Sequence, residues 1–173
     1  MLGILKVADE IDVDEIKNKL KNIEDPNKKD LVAEVSTKEV VNYGNGENRI
    51  VLIDCGVKYG IIRNLVRRGF EVVRVPYDFS VEKIWEFNPD GIVISNGPGD
   101  PKVYTKTIET IKNLIQTEKP IFGICLGNQL LALAAGGDTF KLKFGHRGQN
   151  HPCVSNGHAF VTSQNHGFAI DEK

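Results

Sequence analysis

The sequence is short of the features that would mark a secreted, membrane-spanning or nucleic-acid-binding protein. It has only three cysteines, an odd number whose spacing fits neither a disulfide framework nor a zinc site. Reduced thiols in the cytoplasm are the expectation that follows. No apolar run approaches the roughly 18 to 20 residues that a spanning helix needs. The first residues, Met1 to Lys6, lack the basic flank and long apolar region of a secretory signal. There is no charge of one sign either: 22 basic and 23 acidic residues are interspersed for a net −1, which excludes an electrostatic case for nucleic acid or an anionic membrane as main partner. Nothing repeats, and no segment is of low complexity. What remains is an ordinary globular balance, 40% hydrophobic and 26% charged over 173 residues, enough for one full domain and part of a second.

Apolar periodicity predicts a short helix over residues 9–23, closed by the turn chemistry of Asp25-Pro26-Asn27. A second short segment, Leu31 to Val35, precedes a polar stretch from Tyr43 to Asn48, where Gly44-Asn45-Gly46 reads as a turn or linker. We place a domain boundary there, giving 1–43 and 44–173. After residue 48 the pattern changes. Ile50 to Ile53 reads as a strand buried on both faces, and Val72 to Val75, Ile92 to Ile94 and Ile121 to Ile124 read as three further strands. Between them lie amphipathic helices carrying Ile61, Ile62, Leu65 and Val66, then a short one from Ser80 to Phe87, then Ile108, Ile111, Leu114 and Ile115. The fourth strand runs straight into a helix from Leu126 to Ala135. This alternation predicts an α/β fold with an open, mostly parallel sheet flanked by helices on both faces. Beyond Gly136-Gly137 the reading is of short strands, Phe140 to Phe144 and Ala159 to Thr162, joined by a polar loop.

Ligands on such sheets sit beyond the carboxyl ends of the strands, where the two oddest turns fall. The first is Gly123-Ile124-Cys125-Leu126-Gly127-Asn128-Gln129, between a buried strand and an apolar helix. Glycines two residues either side of Cys125 give the nucleophile-elbow arrangement, with sulfur in place of a serine hydroxyl. The helix N-terminus would favour the thiolate, and the Leu126 N–H points where an oxyanion would form. The plain alternative is a structural cysteine in a strand-to-helix turn. The second turn is Ser95-Asn96-Gly97-Pro98-Gly99-Asp100-Pro101, whose glycines and prolines fix an unusual path with N–H groups able to face a ligand.

Together the two turns resemble the oxyanion strand and nucleophile elbow of class I, or triad, glutamine amidotransferases. Within that superfamily the chain is similar to the small-subunit family of carbamoyl-phosphate synthetases. The likeness is carried by Ser95 to Pro101, Leu130 to Ala134, Lys143 to Gly148, Gln164 to Ala169 and, at the start, Asp30 to Ser36. It implies hydrolysis of glutamine through a cysteine thioester. The ammonia passes to a large synthetase subunit that makes carbamoyl phosphate for pyrimidine and arginine biosynthesis. Cys125 would be the nucleophile, with the oxyanion held by the N–H groups of Gly97 and Leu126. Gly99, Gln129, Asn165, Gly167 and Phe168 match substrate-binding positions. No cofactor or metal is implied in this chain, because ATP and magnesium belong to the large subunit. His166 would belong to the substrate loop and not serve as general base. The family draws its base and carboxylate from a later His-Pro-Glu segment that does not occur among these residues. The resemblance therefore implies a chain shortened at both ends, with 1–43 the tail of an N-terminal domain and linker, and a piece inactive by itself.

Three other readings compete. A relative of the same fold without its base could serve as a partner-binding module, the amidotransferase could serve another synthetase, or the chain could be a flavodoxin-like small-molecule binder with an inert cysteine. Asn128 stands where many relatives have histidine, and the stretch His146 to His151 reads as a solvated loop or subunit contact.

Overall fold

The computed structural model describes residues 4–7 and 9–171. Strands β1 (Val41–Tyr43), β2 (Asn48–Asp54), β3 (Phe70–Pro76), β4 (Gly91–Ile94) and β5 (Ile121–Gly123) form one sheet in the order β1-β3-β2-β4-β5. The last four are mutually parallel, and β1 lies antiparallel on the β3 edge. The continuous apolar run of β2 follows from its central place, since it must cover both faces. Val51 and Ile53 enter one core cluster, with Ile92, Ile94, Ile111, Leu114, Leu126 and Leu130, while Leu52 enters the other, with Val72, Val93 and Ile62.

Helices α1 (Val13–Lys21), α2 (Leu31–Val35), α3 (Tyr59–Arg67), α4 (Val81–Trp85), α5 (Thr105–Leu114) and α6 (Leu126–Ala134) complete the α/β layer, with short 3₁₀ turns at Pro26–Lys28 and Pro101–Val103. The first helix is shorter than its apolar period. It starts only where the Asp12 carboxylate caps the N–H groups of Asp14 and Glu15, and no residue of it is buried. The proposed boundary after residue 43 falls between two strands of one sheet. Before it, β1 pairs with β3, and Val32 is fully buried in the main core.

The segment after Gly137 departs most from the reading above. Instead of two short strands and a polar loop, β6 (Thr139–Ser155) and β7 (His158–Ile170) form one long antiparallel hairpin. Asn156 and Gly157 turn it with φ of 50° and 77°. Two positive φ values in a two-residue loop match the right-handed twist of the strands, and Asn-Gly is the pair best suited to supply them. Register shifts between Lys141 and His146 and between Gly148 and His151 mark irregularities where the strand bends.

The carboxyl ends of β2, β4 and β5 lie side by side; the connection from β2 runs one way, to β3, and the connection from β3 crosses back past β2 to β4 on its other side. The crevice at this switch point is where an open α/β sheet holds its ligands.

Candidate active site

Cys125 is the second of the two residues between the end of β5 and the start of α6, with φ 53° and ψ −108°. A side chain rarely adopts this conformation, which costs about 1–3 kcal/mol and persists only where the surroundings impose it. Here the surroundings are close backbone contacts. A Cβ on Gly127 would lie 2.2 Å from the Ile94 carbonyl oxygen, so only glycine lets α6 descend onto β4. The Gly127 N–H then donates to the carbonyls of Ser95 (3.1 Å) and Ile124 (3.0 Å), stitching the elbow to the neighbouring turn. The thiol of Cys125 is exposed at the top of this arrangement.

The Ser95–Gly99 turn is braced from the other side. The Cys55 N–H donates to Ser95 Oγ at 2.9 Å, and Asn96 accepts the Lys58 N–H at 3.1 Å while donating to the Gly56 carbonyl at 3.2 Å. Gly97 rests directly on the Cys55 carbonyl, since a Cβ there would come within 2.1 Å of it. The turn beneath is organised by the fully buried Asp54. Its carboxylate accepts the N–H groups of Thr37 (2.7 Å), Gly56 (2.9 Å) and Val57 (2.7 Å) and those of Arg74 Nε and Nη2 (2.8 and 2.6 Å). Tyr104 donates to the Pro98 carbonyl at 2.9 Å, and burial raises its hydroxyl to about 12. Among the described residues, the main-chain N–H groups of Gly97 and Leu126 donate to no other protein group. The Leu126 side chain itself is buried against Gly97.

A cavity of about 180 Å³ opens beside Cys125. Its walls bring together Gly97, Gly99, Cys125, Gln129, Asn165, Gly167 and Phe168, that is, every candidate site residue read from the sequence except Leu126, whose side chain lies below the floor. The buried Gln129 donates to the Phe168 carbonyl at 2.7 Å and so ties α6 to the hairpin. A larger space of about 530 Å³ lies on the other side of Cys125 and is lined by Lys58, Asn96, Arg147 and Gln149 among others. Arg147 borders both spaces and donates to the Phe144 carbonyl at 2.9 Å, so its stretch is part of the site wall and not only a solvated loop. Asn27 also reaches the smaller cavity, which no local pattern in the sequence announces. Nδ1 of His166 faces the Phe168 carbonyl at 2.7 Å, and Nε2 faces Gln164 and His146. Neither ring nitrogen pairs with Cys125. Among the described residues, no group of three His, Cys, Asp or Glu side chains is arranged to hold a metal ion.

Residues 51–173 match the family model of the class-I glutamine amidotransferases, and the chain belongs to that family. More narrowly, it is similar to proteins named carbamoyl phosphate synthase small chain. One from Methanocaldococcus jannaschii is 53% identical over 173 residues, covering 96% of this chain and 49% of that protein. One from Methanopyrus kandleri is 50% identical over 160 residues (91% and 44%), and one from Thermotoga maritima 48% over 176 residues (100% and 45%). The chain thus spans less than half the length of these relatives. Among solved structures, a Thermoplasma acidophilum protein assigned to GMP synthase superposes with a TM-score of 0.63 at 22% identity, covering 74% of this chain and 69% of that one. A glutamine amidotransferase from Thermotoga maritima gives 0.56 at 17%, covering 73% and 64%. These superpositions support the fold. Among the described residues, no helix is long and apolar enough to cross a membrane.

Proposed function

We propose that this chain carries the glutamine-binding, cysteine-bearing part of a glutamine-hydrolysing carbamoyl phosphate synthase small chain. The observation that carries the proposal is the exposed Cys125 held at φ 53° on the elbow, at the mouth of a small cavity walled by the candidate substrate residues. At about 180 Å³ the cavity is well below the roughly 300 Å³ where drug-sized pockets begin, and it suits a ligand no larger than an amino acid.

In this reading the Cys125 thiolate attacks the side-chain amide of glutamine. The oxyanion of the tetrahedral intermediate takes hydrogen bonds from the Gly97 and Leu126 N–H groups, each donor worth about 10²–10³ in rate. The C–N bond then breaks, ammonia leaves with a proton, and water hydrolyses the thioester to glutamate. Gly99, Gln129, Asn165, Gly167 and Phe168 shape the pocket for the amino-acid end. The ammonia would serve a large synthetase subunit, which would hold ATP and magnesium. The leaving group needs a proton donor, and the His166 network is committed elsewhere. We assign the histidine base to polypeptide beyond the described residues and expect these residues alone to turn over glutamine poorly or not at all.

The test is affinity labelling with a diazo-ketone analogue of glutamine. Labelling is expected at Cys125, competed by glutamine and abolished in Cys125→Ala. Modification elsewhere, or modification indifferent to glutamine, would remove the elbow as the substrate site. In the longer polypeptide Cys125→Ala is expected to abolish glutaminase activity. Retained turnover there would show that the thiol is not the nucleophile.

A further inference from the structure

The hairpin gathers three imidazoles, two from β6 and one from β7. His146 and His166 face each other in register, with ring centroids 4.9 Å apart and edge-on, and the His151 ring lies 5.2 Å from that of His146. The directions of the hydrogen bonds around His166 and Gln164 can be followed from their surroundings. Thr162 donates its hydroxyl proton to the His151 carbonyl at 2.9 Å, so its oxygen accepts from Gln164 Nε2, also at 2.9 Å. That fixes the amide with Oε1 towards His166 Nε2, 3.1 Å away. On the other side of the ring, Nδ1 meets the Phe168 carbonyl at 2.7 Å. A carbonyl can only accept, so the proton of a neutral ring sits on Nδ1 and Nε2 carries a lone pair. His146 Nδ1 is 3.2 Å from the same nitrogen. Two imidazole nitrogens and an amide oxygen therefore converge, and with His166 Nε2 unprotonated Gln164 Oε1 has no donor among the described residues.

The geometry points to a binding site for a divalent transition-metal ion of the zinc class, formed by His146 Nδ1, His166 Nε2 and Gln164 Oε1. Separations of 3.1 and 3.2 Å match the roughly 3.3 Å between neighbouring ligands on a tetrahedral ion with bonds of about 2.0–2.1 Å. The Nδ1–H bond of His166 to a carbonyl is the outer contact that fixes the tautomer of a metal-binding histidine. Imidazole donors favour zinc, copper and nickel over magnesium or calcium. The third donor is an amide oxygen, so the set lies outside clusters built from His, Cys, Asp and Glu alone. His146 is exposed, which leaves the remaining coordination position open to water. The Phe168 carbonyl that anchors His166 also accepts from Gln129, so an occupied site bears directly on the wall of the smaller cavity.

Calorimetric titration of the chain with zinc chloride, and separately nickel chloride, in a non-chelating buffer tests this. One saturable equivalent is expected, weakened at least about tenfold by His146→Ala and by Gln164→Ala. His158→Ala, at the tip of the hairpin, and the thiol variants Cys125→Ser and Cys153→Ser are expected to leave it unchanged. Circular dichroism checks that His146→Ala keeps the fold. Loss of binding in a thiol variant with His146→Ala unaffected would assign the metal to cysteine and overturn the site. So would the absence of saturable binding of either metal. Imidazole ¹⁵N spectra in which His146 and His166 respond to acid and not to zinc would also overturn it, the converging atoms then being bridged by a proton. None of these readouts depends on glutamine hydrolysis, so this site and the proposed function stand or fall separately.

Discussion

The turn after β2 and the turn after β5 begin alike, each with a cysteine at the carboxyl end of a parallel strand, and they end as chemical opposites. Cys55 is 1% exposed, and burial beside the Asp54 carboxylate pushes its thiol far above the ordinary range. Cys125 stands exposed at a helix N-terminus. The difference lies in the next residues. After Cys55 the chain folds back on the Asp54 carboxylate, and the Gly97 turn closes over its carbonyl. After Cys125 the chain drops at once into α6, and the positive φ throws the side chain outward. Position at a strand end makes a site available, and backbone conformation at that position decides whether it is used. Cys55 accordingly serves as the platform on which the Gly97 turn rests.

Thiol reactivity gives the largest effect and would break the comparison outright. In the native chain, peptide mapping after brief treatment with iodoacetamide is expected to find Cys125 modified at least about 10³-fold faster than Cys55. Cys55 can react only through opening of a core that a typical domain stabilises by several kcal/mol. Comparable rates would mean that the β2 turn is not closed. Next comes Asp54→Asn, which leaves the largely buried Arg74 charge without its carboxylate and is expected to cost about 3 kcal/mol in a urea melt. A loss below about 1 kcal/mol would show that this pair does not hold the platform. Cys125→Gly should have the opposite sign, raising stability by about 1 kcal/mol as the strain at φ 53° is relieved. The smallest effect is that of Tyr104→Phe, which frees the Pro98 carbonyl at a cost of about 1 kcal/mol. Its folded-state hydroxyl, raised to about 12 against about 10 for a free tyrosine, binds its proton more tightly than the unfolded chain does. The corresponding stability is present below pH about 10 and is lost as pH rises towards about 12, a decline that should shrink in Tyr104→Phe.

The parallel sheet was legible because its central strands leave continuous apolar runs and the helices between them keep a clean period. The elbow was legible because Gly123 and Gly127 bracket a lone cysteine at a strand end. The hairpin was not, although Asn156-Gly157 is a strong turn signal. Its strands carry apolar residues left exposed, such as Phe144, Val154 and Val161, in place of the alternation that burial on one face imposes. β1 was missed for a related reason, since three residues at a sheet edge make no pattern of their own. Asn27 and Arg147 reach the cavity through tertiary folding alone. Gly97, Gly99, Gln129, Asn165, Gly167 and Phe168 were named from family resemblance and not from any local rule. Their meeting around Cys125 is a property of the chain path.

The bond from Gln129 to the Phe168 carbonyl joins residues 39 apart in sequence, whereas the hairpin closes around a two-residue turn. Local ladders form quickly, and contacts that close long loops wait on the rest of the chain. The hairpin can therefore zip up by itself and dock on α6 afterwards, so the small cavity is among the last features of the molecule to come into being. Whatever occupies that cavity then acts on folding as well as on chemistry. It slows departure of the hairpin, and hydrogen exchange at Phe168 should report occupancy before any unfolding transition does.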